Sequence, residues 1–312
     1  MKPKILITGA GGYIGSMLTT KLVELGFNVL AVDLLKYEKN SLSHLFFYKN
    51  FQFIKADITK NLVVKKILKS CDFIIPLAAL VGAPLCEKFE KEAQKVNVES
   101  IKLILIHKKK KQKIIYPTTN SGYGIGQKNK YCDENSTLQP ISLYGRTKVE
   151  AENIISQCDN WICFRLATVF GVSYRMRTDL LVNNFVEKAV YNNKLEIFEP
   201  NFRRNFIHIR DVVSAFLFAI NNFSKLKNNV YNLGLSSANI TKLDLALKIK
   251  KNLNKIKIIV IKNKSDPDKR DYFVSNKKIE KKGFRPSISL NEGIIELLRL
   301  FQNVPTKFKN NY

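Results

Sequence analysis

The chain has 312 residues, of which 45% are hydrophobic, and this allows one large α/β domain or two smaller ones. Its apolar runs are too short to span a bilayer, so we expect no membrane partner. The formal net charge of +26 would suit a nucleic-acid-binding protein. However, 42 of the 52 basic residues are Lys, and they are spread along the whole chain. We therefore expect a solvated basic surface and no nucleic-acid partner.

Cysteine usage and the start of the chain indicate a compartment. The five cysteines are an odd number and contain no CxxC pair, which is typical of free thiols under reducing conditions. The first residues, "MKPKILITG", lead directly into a strand pattern without a cleavable signal. These features predict a cytoplasmic protein.

The first half of the chain alternates between strand and helix patterns. Strands are predicted at residues 4–9, 28–33, 51–58, 71–80 and 113–119. Helices are predicted at residues 13–26 and 87–107. Such alternation favours right-handed βαβ units and a mostly parallel sheet that is covered on both faces. The predicted fold class is therefore α/β, with a Rossmann-type doubly wound sheet.

The second half is less regular. It begins with a helix around Tyr144, followed by further strand and helix patterns at residues 161–171, 180–192, 203–212, 229–234 and 290–302. Thr241 is predicted to open one more helix, because its hydroxyl can cap free N–H groups. We expect the final "PTKFKNNY" to be frayed.

The segment "TGAGGYIG" joins the first strand to the first helix. Gly9, Gly12 and Gly15 are three residues apart, a spacing that lets the backbone turn sharply and approach a pyrophosphate at the helix N-terminus. Asp33 ends the second strand, where a carboxylate binds both ribose hydroxyls and repels a 2′-phosphate. The pattern predicts NAD rather than NADP as the cofactor.

A second group of residues could carry out the chemistry. Tyr144 and Lys148 are one helical turn apart and face the same way. A nearby ammonium favours the phenolate, so Lys148 can make Tyr144 a working base. Thr119 ends the preceding strand and offers a hydroxyl to hold a substrate oxygen. Together these residues could take a proton from a sugar hydroxyl while its carbon gives a hydride to NAD⁺.

Motifs along nearly the whole chain resemble those of the extended short-chain dehydrogenase/reductase family that acts on nucleotide sugars. They are "TGAGGYIG", "PLAALVG", "TTNSGYG", "YGRTK", "FRLATVFG", "RRNFIHIRD" and "GFRPSISLNEGI". The resemblance implies an NAD-binding Rossmann domain over residues 1–170, with a returning segment near 206–233, and a mainly substrate-binding region over 171–312. It also implies a larger set of cofactor-binding residues: Gly9, Gly12, Tyr13, Ile14, Gly15, Asp33, Asp57, Ile58, Leu77, Ala78, Ala79, Asn97, Tyr144, Lys148 and Leu166.

The residues after Thr119 narrow the reaction. In the sugar 4,6-dehydratases of this family, an Asp and a Glu follow the hydroxyl residue and eliminate water across C5 and C6. Here Asn120 and Ser121 follow, and neither side chain readily exchanges a proton near neutral pH. The resemblance therefore implies either a C4 dehydrogenase or a C4 epimerase.

Within the family, "PLAALVGAPLC", "NSGYGIG", "ATVFGVS" and "DPDKRDY" are similar to segments of GDP-heptose 4-dehydrogenases. This similarity implies oxidation of GDP-D-glycero-D-manno-heptose at C4 in surface-polysaccharide biosynthesis. A nucleotide-sugar 4-epimerase and a non-catalytic NAD-binding protein are the alternatives. The predicted substrate-binding residues are Asn120, Ser121, Arg175, Arg177, Asn183, Arg204 and Arg270.

The resemblance also implies a homodimer. Family members pair the long helix before the hydroxyl strand with the helix that carries Tyr144. In this chain these are residues 90–107 and 143–157, and Ile101 and Ile104 are predicted to lie at the seam.

Overall fold

The computed structural model describes residues 2–127, 130–253, 255–262, 270–304, 308, 310 and 311. Residues 266–269 of the "DPDKRDY" motif lie outside them, as do residues 305–307, 309 and 312 of the predicted frayed tail.

The described residues form strands that are numbered here in chain order. They are β1 (Lys4–Thr8), β2 (Asn28–Asp33), β3 (Phe51–Lys55), β4 (Phe73–Pro76), β5 (Lys113–Thr119), β6 (Tyr131–Cys132), β7 (Trp161–Leu166), β8 (Thr168–Phe170), β9 (Lys194–Ile197), β10 (Arg203–His208), β11 (Asn229–Leu233), β12 (Asn239–Thr241), β13 (Lys257–Val260) and β14 (Phe273–Val274).

The α-helices are numbered in the same way. They are α1 (Tyr13–Glu24), α2 (Asn61–Ile67), α3 (Ala83–Lys88), α4 (Glu90–Gln94), α5 (Ser100–His107), α6 (Leu143–Ser156), α7 (Leu181–Asn192), α8 (Ile209–Asn221), α9 (Phe223–Leu226), α10 (Lys242–Asn252), α11 (Lys277–Lys281) and α12 (Leu290–Asn303). A π-helical turn, Lys95–Glu99, joins α4 to α5.

A parallel sheet of seven strands forms the centre of the fold. Its order is β11-β7-β5-β4-β1-β2-β3. Ile5 and Ile7 of β1 pack into the core on one face, and Leu6 packs into the core on the other. The sheet is therefore covered on both faces, and the predicted Rossmann-type α/β fold is confirmed. The strand order reverses between β1 and β4, where ligands bind at the carboxyl ends of the strands in such sheets.

Two predicted elements are divided in the structure. The helix predicted at residues 87–107 begins at Glu90, because Phe89 has the non-helical dihedrals φ −129° and ψ 57° and separates it from α3. It also contains the π turn between α4 and α5. The strand predicted at residues 161–171 is interrupted at Ala167, whose N–H donates to the Leu233 carbonyl. After this residue the chain leaves the main sheet, and β8 pairs with β10.

The second half of the chain adds elements to the main sheet and also forms a smaller sheet. Strand β11 returns to the edge of the main sheet beside β7, and helix α8 packs on α1. A smaller sheet has the order β12-β10-β8, and its strand β8 follows β7 directly along the chain. The division into a cofactor-binding and a substrate-binding region stays a prediction. The N-cap role of Thr241 is confirmed, since its hydroxyl accepts from the Asp244 N–H.

Candidate active site

A cleft of about 580 Å³ opens at the reversal point of the sheet. Strand β1 enters it through Gly9, which has φ +70° and approaches the loop after β4 so closely that a Cβ would lie 2.5 Å from the Ala78 nitrogen. A Cβ on Gly15 would lie 2.1 Å from the Gly9 carbonyl oxygen. Helix α1 then starts with Gly12 as its N-cap, which supplies no side-chain hydrogen bond. This uncapped, glycine-lined helix end fits a pyrophosphate.

Asp33 lies beside this turn at the end of β2. Its carboxylate accepts hydrogen bonds from the Gly11 N–H at 2.9 Å and the Leu35 N–H at 2.7 Å. Burial raises the pKa of Asp33, while these N–H groups act in the opposite direction. Both oxygens keep acceptor capacity for ribose hydroxyls, as predicted for an NAD site.

Most of the predicted cofactor residues meet at this cleft. Its walls include Gly9, Gly12, Tyr13, Ile14, Gly15, Asp33, Asp57, Ile58, Leu77, Ala78, Ala79, Tyr144, Lys148 and Leu166.

Asn97 differs from this set, because it lies behind the wall and does not line the cleft. Its carboxamide accepts from the Leu80 N–H at 2.8 Å, and donates to the Leu80 carbonyl and to the Thr147 hydroxyl, each at 3.0 Å. Asn97 thus joins the loop after β4 to helix α6 and supports the site from the π turn.

Thr119, Tyr144 and Lys148 line the same cleft from two elements. Thr119 ends β5, and the other two lie on α6, whose first turn is capped by the Ser142 hydroxyl. Lys148 is 4% exposed, and its Nζ lies 3.9 Å from the centroid of the Tyr116 ring. Burial lowers the pKa of Lys148 to about 7.

The predicted substrate residues Asn120 and Ser121 lie behind Thr119 and do not line the cleft. The Thr119 hydroxyl donates to the Ser121 Oγ at 2.9 Å, and the Ser121 N–H donates back to the Thr119 Oγ1 at 3.1 Å. The Asn120 carboxamide is buried, and neither its oxygen nor its nitrogen has a hydrogen-bond partner within the described part of the chain. Ser121 therefore contacts the Thr119 hydroxyl directly, whereas Asn120 lies within the protein.

Two of the predicted arginines, Arg204 and Arg270, line the cleft. Arg204 is 1% exposed, and its guanidinium donates to the Arg203 carbonyl at 3.0 Å. Arg270 donates to the Ser121 Oγ at 2.7 Å. Two guanidinium groups in one cleft could bind a diphosphate, because each offers a fork of donors.

The other two arginines are used differently. Arg177 lines the cleft but pairs with Asp179 through two hydrogen bonds, one of them 3.0 Å long from Nε, so a neighbouring carboxylate already balances its charge. Arg175 lies over the Tyr37 ring, with its Cζ 5.2 Å from the ring centroid, near Asp33. The structure therefore places Arg175 at the cofactor end of the cleft, although the sequence suggested a substrate phosphate.

Asn183 does not face the cleft. It is completely buried: its Oδ1 accepts from the Gly171 N–H at 3.0 Å, and its Nδ2 donates to the Arg177 carbonyl at 2.8 Å. The next residue, Asn184, lines the cleft instead. The sequence "VNNF" offers no signal that distinguishes the two asparagines, because adjacent helical positions differ by about 100° in direction.

Part of the C-terminal tail also packs on the site, although its sequence predicted a frayed end. The Phe308 ring packs against Phe301, and the Asn310 Oδ1 accepts from the Thr178 N–H at 2.9 Å. Asn311 lines the cleft and accepts a hydrogen bond from Arg175. The described residues of the predicted frayed segment are thus packed on the site.

Across the ranges given above, no cluster of three His, Cys, Asp or Glu side chains could hold a metal ion. In the same residues, no helix is both long and apolar enough to span a membrane.

The amino-acid sequence is similar to those of known proteins along most of its length. Residues 5–234 match the NAD dependent epimerase/dehydratase family. The dTDP-D-glucose 4,6-dehydratase of Homo sapiens is 25% identical over 329 residues, covering 98% of this chain and 92% of that protein. UDP-glucuronic acid decarboxylase 1 of Arabidopsis thaliana is 27% identical over 316 residues, covering 96% of this chain and 70% of that protein.

A solved structure is similar throughout. The UDP-glucuronic acid 4-epimerase of Bacillus cereus, in complex with UDP-glucuronic acid and NAD, superposes with a TM-score of 0.85 at 24% identity, and the match covers 96% of this chain and 99% of that one. At this identity the likeness shows the fold. Because the family match spans most of the chain and the cleft fits a dinucleotide, the protein belongs to the NAD-dependent epimerase/dehydratase family and uses NAD as its cofactor.

Proposed function

We propose that the protein is an NAD-dependent dehydrogenase that oxidises the C4 hydroxyl of a nucleotide-linked sugar to a ketone. The substrate we propose is GDP-D-glycero-D-manno-heptose, in surface-polysaccharide biosynthesis. The choice of sugar rests on the similarity of "PLAALVGAPLC", "NSGYGIG" and "ATVFGVS" to segments of GDP-heptose 4-dehydrogenases. The choice of reaction rests on the site.

The proposed proton transfer uses three side chains that line one cleft. The Tyr144 phenolate takes the proton of the C4 hydroxyl, and the Thr119 hydroxyl holds the same oxygen. Lys148 is buried with a pKa of about 7, so its charged and neutral forms are both accessible near neutral pH. In the charged form it lowers the free energy of the phenolate. NAD, when bound, supplies the hydride acceptor.

The observation that carries the proposal is the chemistry of the two residues after Thr119. Elimination of water needs groups that gain and lose protons near the operating pH. Asn120 is a buried amide, and the Ser121 hydroxyl is engaged with Thr119 and Arg270. These two positions can support the oxidation but cannot supply the acid and base of a dehydratase.

Recognition of the nucleotide is proposed to involve Arg204 and Arg270, which line the cleft together. A diphosphate would offer both guanidinium groups paired acceptor oxygens. The formal charge of +26 should also draw an anionic substrate toward the protein, most strongly at low ionic strength.

A 4-epimerase is the second candidate. The same three side chains could serve it, and the structural match with the B. cereus UDP-glucuronic acid 4-epimerase covers nearly the whole chain. The two reactions differ in the final oxidation state of the cofactor. A dehydrogenase releases reduced cofactor, whereas an epimerase returns its cofactor to the starting oxidation state.

The test is a panel of GDP-, UDP- and dTDP-linked sugars, incubated with the protein and NAD⁺ and followed by the absorbance of reduced nicotinamide. We expect reduced cofactor with a GDP-linked heptose, formed about 10²- to 10⁴-fold more slowly by the Tyr144→Phe variant. An isomerised sugar without reduced cofactor would establish the epimerase. NAD binding without turnover of any sugar would favour a non-catalytic protein.

We also propose that the protein forms a homodimer through α5 and α6. Ile101 and Ile104 cannot form the seam as predicted, because they are 3% and 1% exposed and pack into the monomer core. Ile106 on α5 is 71% exposed. Lys102, one helical turn before Ile106, lines a groove together with residues of α6 that include Val149 and Ile154. A second copy could cover this face.

A further inference from the structure

Arg175 is a buried cation that forms no ion pair within the described part of the chain. The residue is 3% exposed, yet its side chain lines the cleft. Within the described ranges no carboxylate lies at ion-pair distance from it: Asp179 and Glu38 act on its charge only from further away, and Asp179 is paired with Arg177. Burial lowers the pKa of Arg175, but a guanidinium stays charged at every physiological pH. Burial of a charge is costly unless a counter-charge approaches it, so the position favours an anionic ligand.

The position of Arg175 identifies which anion can approach. Its guanidinium stacks over Tyr37 and is close enough to Asp33 to lower the pKa of that carboxyl group. Its backbone N–H donates to the Ser173 Oγ at 3.3 Å, and the Ser173 hydroxyl donates to the Tyr13 carbonyl at 2.7 Å. The Arg175 loop is therefore attached to the first turn of α1, where the dinucleotide phosphates are expected.

The C-terminal tail fixes the guanidinium from the other side. Arg175 Nη2 donates to the Asn311 Oδ1 at 2.6 Å. The neighbouring Asn310 accepts from the N–H groups of Thr178 and Asp179 at 2.9 and 3.2 Å. Two successive asparagines thus hold both ends of the segment from Arg175 to Asp179.

We propose that Arg175 binds the pyrophosphate of NAD and that Asn311 is a positioning residue that holds its guanidinium toward the cleft. The tail would then contribute to cofactor retention, although it lies far in sequence from the glycine-rich turn. This inference concerns the cofactor alone and does not depend on which sugar is oxidised.

The test is calorimetric titration of cofactor-free, full-length protein with NAD⁺, ADP-ribose and adenosine. Arg175→Met should weaken binding of NAD⁺ and ADP-ribose by about 10- to 100-fold, the effect of one charge-assisted contact. Adenosine carries no phosphate, so its affinity should change by less than about twofold on the same scale. Asn311→Ala should weaken NAD⁺ binding in the same direction but less, because the guanidinium remains present.

Controls separate binding from folding. Arg299→Met removes an exposed arginine on α12 and should leave all three affinities unchanged. Arg175→Lys should retain part of the NAD⁺ affinity, since the charge remains while the fork is lost. An unchanged NAD⁺ affinity in Arg175→Met would overturn the proposal, as would an equal loss for adenosine.

Discussion

The guanidinium of Arg270 donates a 2.7 Å hydrogen bond to the hydroxyl of Ser121. Ser121 also accepts from the Thr119 hydroxyl at 2.9 Å. A residue proposed to bind the substrate diphosphate is thus connected, through one side chain, to the hydroxyl proposed to hold the C4 oxygen. Ser121 acts indirectly in this arrangement, through Thr119 and Arg270, because it does not itself line the cleft.

Replacing Ser121 by Ala should loosen both Arg270 and Thr119. Loss of a neutral or charge-assisted hydrogen bond typically costs about 0.5–3 kcal/mol, so we expect kcat/KM to fall by about 3- to 100-fold. NAD⁺ affinity should be unchanged, since the cofactor residues lie elsewhere in the cleft. Steady-state kinetics and NAD⁺ titration of the variant measure both quantities. Unchanged kcat/KM would show that this connection does not matter for turnover.

Replacing Tyr144 by Phe should remove the proposed base while keeping the ring. General-base groups typically contribute about 10²- to 10⁴-fold, so turnover should fall by that order. NAD⁺ should still bind, because the pyrophosphate and ribose contacts remain. Val149→Ala, on the same helix but at the α5–α6 groove, is the matched control and should keep its activity. Turnover of Tyr144→Phe at the wild-type rate would exclude the phenol as the base.

Lys148 should make the stability of the protein depend on pH. Folding lowers its pKa from 10.5 to about 7, so between these values the unfolded chain binds a proton that the folded chain lacks. The contribution of this group to the free energy of unfolding therefore rises with pH, by at most about 1.4 kcal/mol per pH unit. Above the unfolded-state pKa of 10.5, Lys148 is neutral in both the folded and the unfolded chain, so burying it no longer lowers the free energy of unfolding through its charge.

Lys148→Met should accordingly be more stable than the wild type at pH 7, and the difference should shrink as the pH approaches 10. Denaturant unfolding of both proteins across this range measures the difference in the free energy of unfolding. Other titrating groups contribute equally to both proteins, so their effect cancels in this difference. A difference that is constant with pH would show that Lys148 has an ordinary pKa in the folded protein.

Ile106→Glu should disrupt the proposed dimer. A charge at the centre of a buried apolar contact is costly, so the variant should be monomeric at micromolar concentration while the wild type is dimeric. Light scattering distinguishes the two. Leu247→Glu is the control, because Leu247 on α10 is 50% exposed and α10 packs on α7 and α12. A monomeric wild type, or a dimeric Ile106→Glu variant, would contradict the proposed interface.

The features that the sequence predicted well depend on neighbouring residues. The turn through Gly9 and Gly15 requires the absence of a Cβ, and that requirement is visible in the sequence. Tyr144 and Lys148 are separated by one helical turn, so they share a face wherever the helix lies. Asp33 is the last residue of its strand and reaches the same edge of the sheet as the turn.

The features that the sequence did not predict depend on distant contacts. The orientation of Arg175 is determined by Tyr37 and Asn311, which are far from it along the chain. Asn183 and Asn184 are chemically identical, and the packing of α7 alone decides which one is buried. The tail near Asn311 has the composition of a frayed end, and its packing depends on partners that lie more than a hundred residues away.

The reaction proposed for this site is oxidation of C4 without elimination of water. Mass spectrometry of the product formed from a GDP-linked heptose distinguishes the two reactions. We expect a product lighter than the substrate by two hydrogen atoms, with every oxygen retained and one reduced cofactor formed per product. A product that has lost one water molecule would contradict it, because another group, such as the cleft-lining Asp179 or Glu196, would then supply the acid that Asn120 and Ser121 lack.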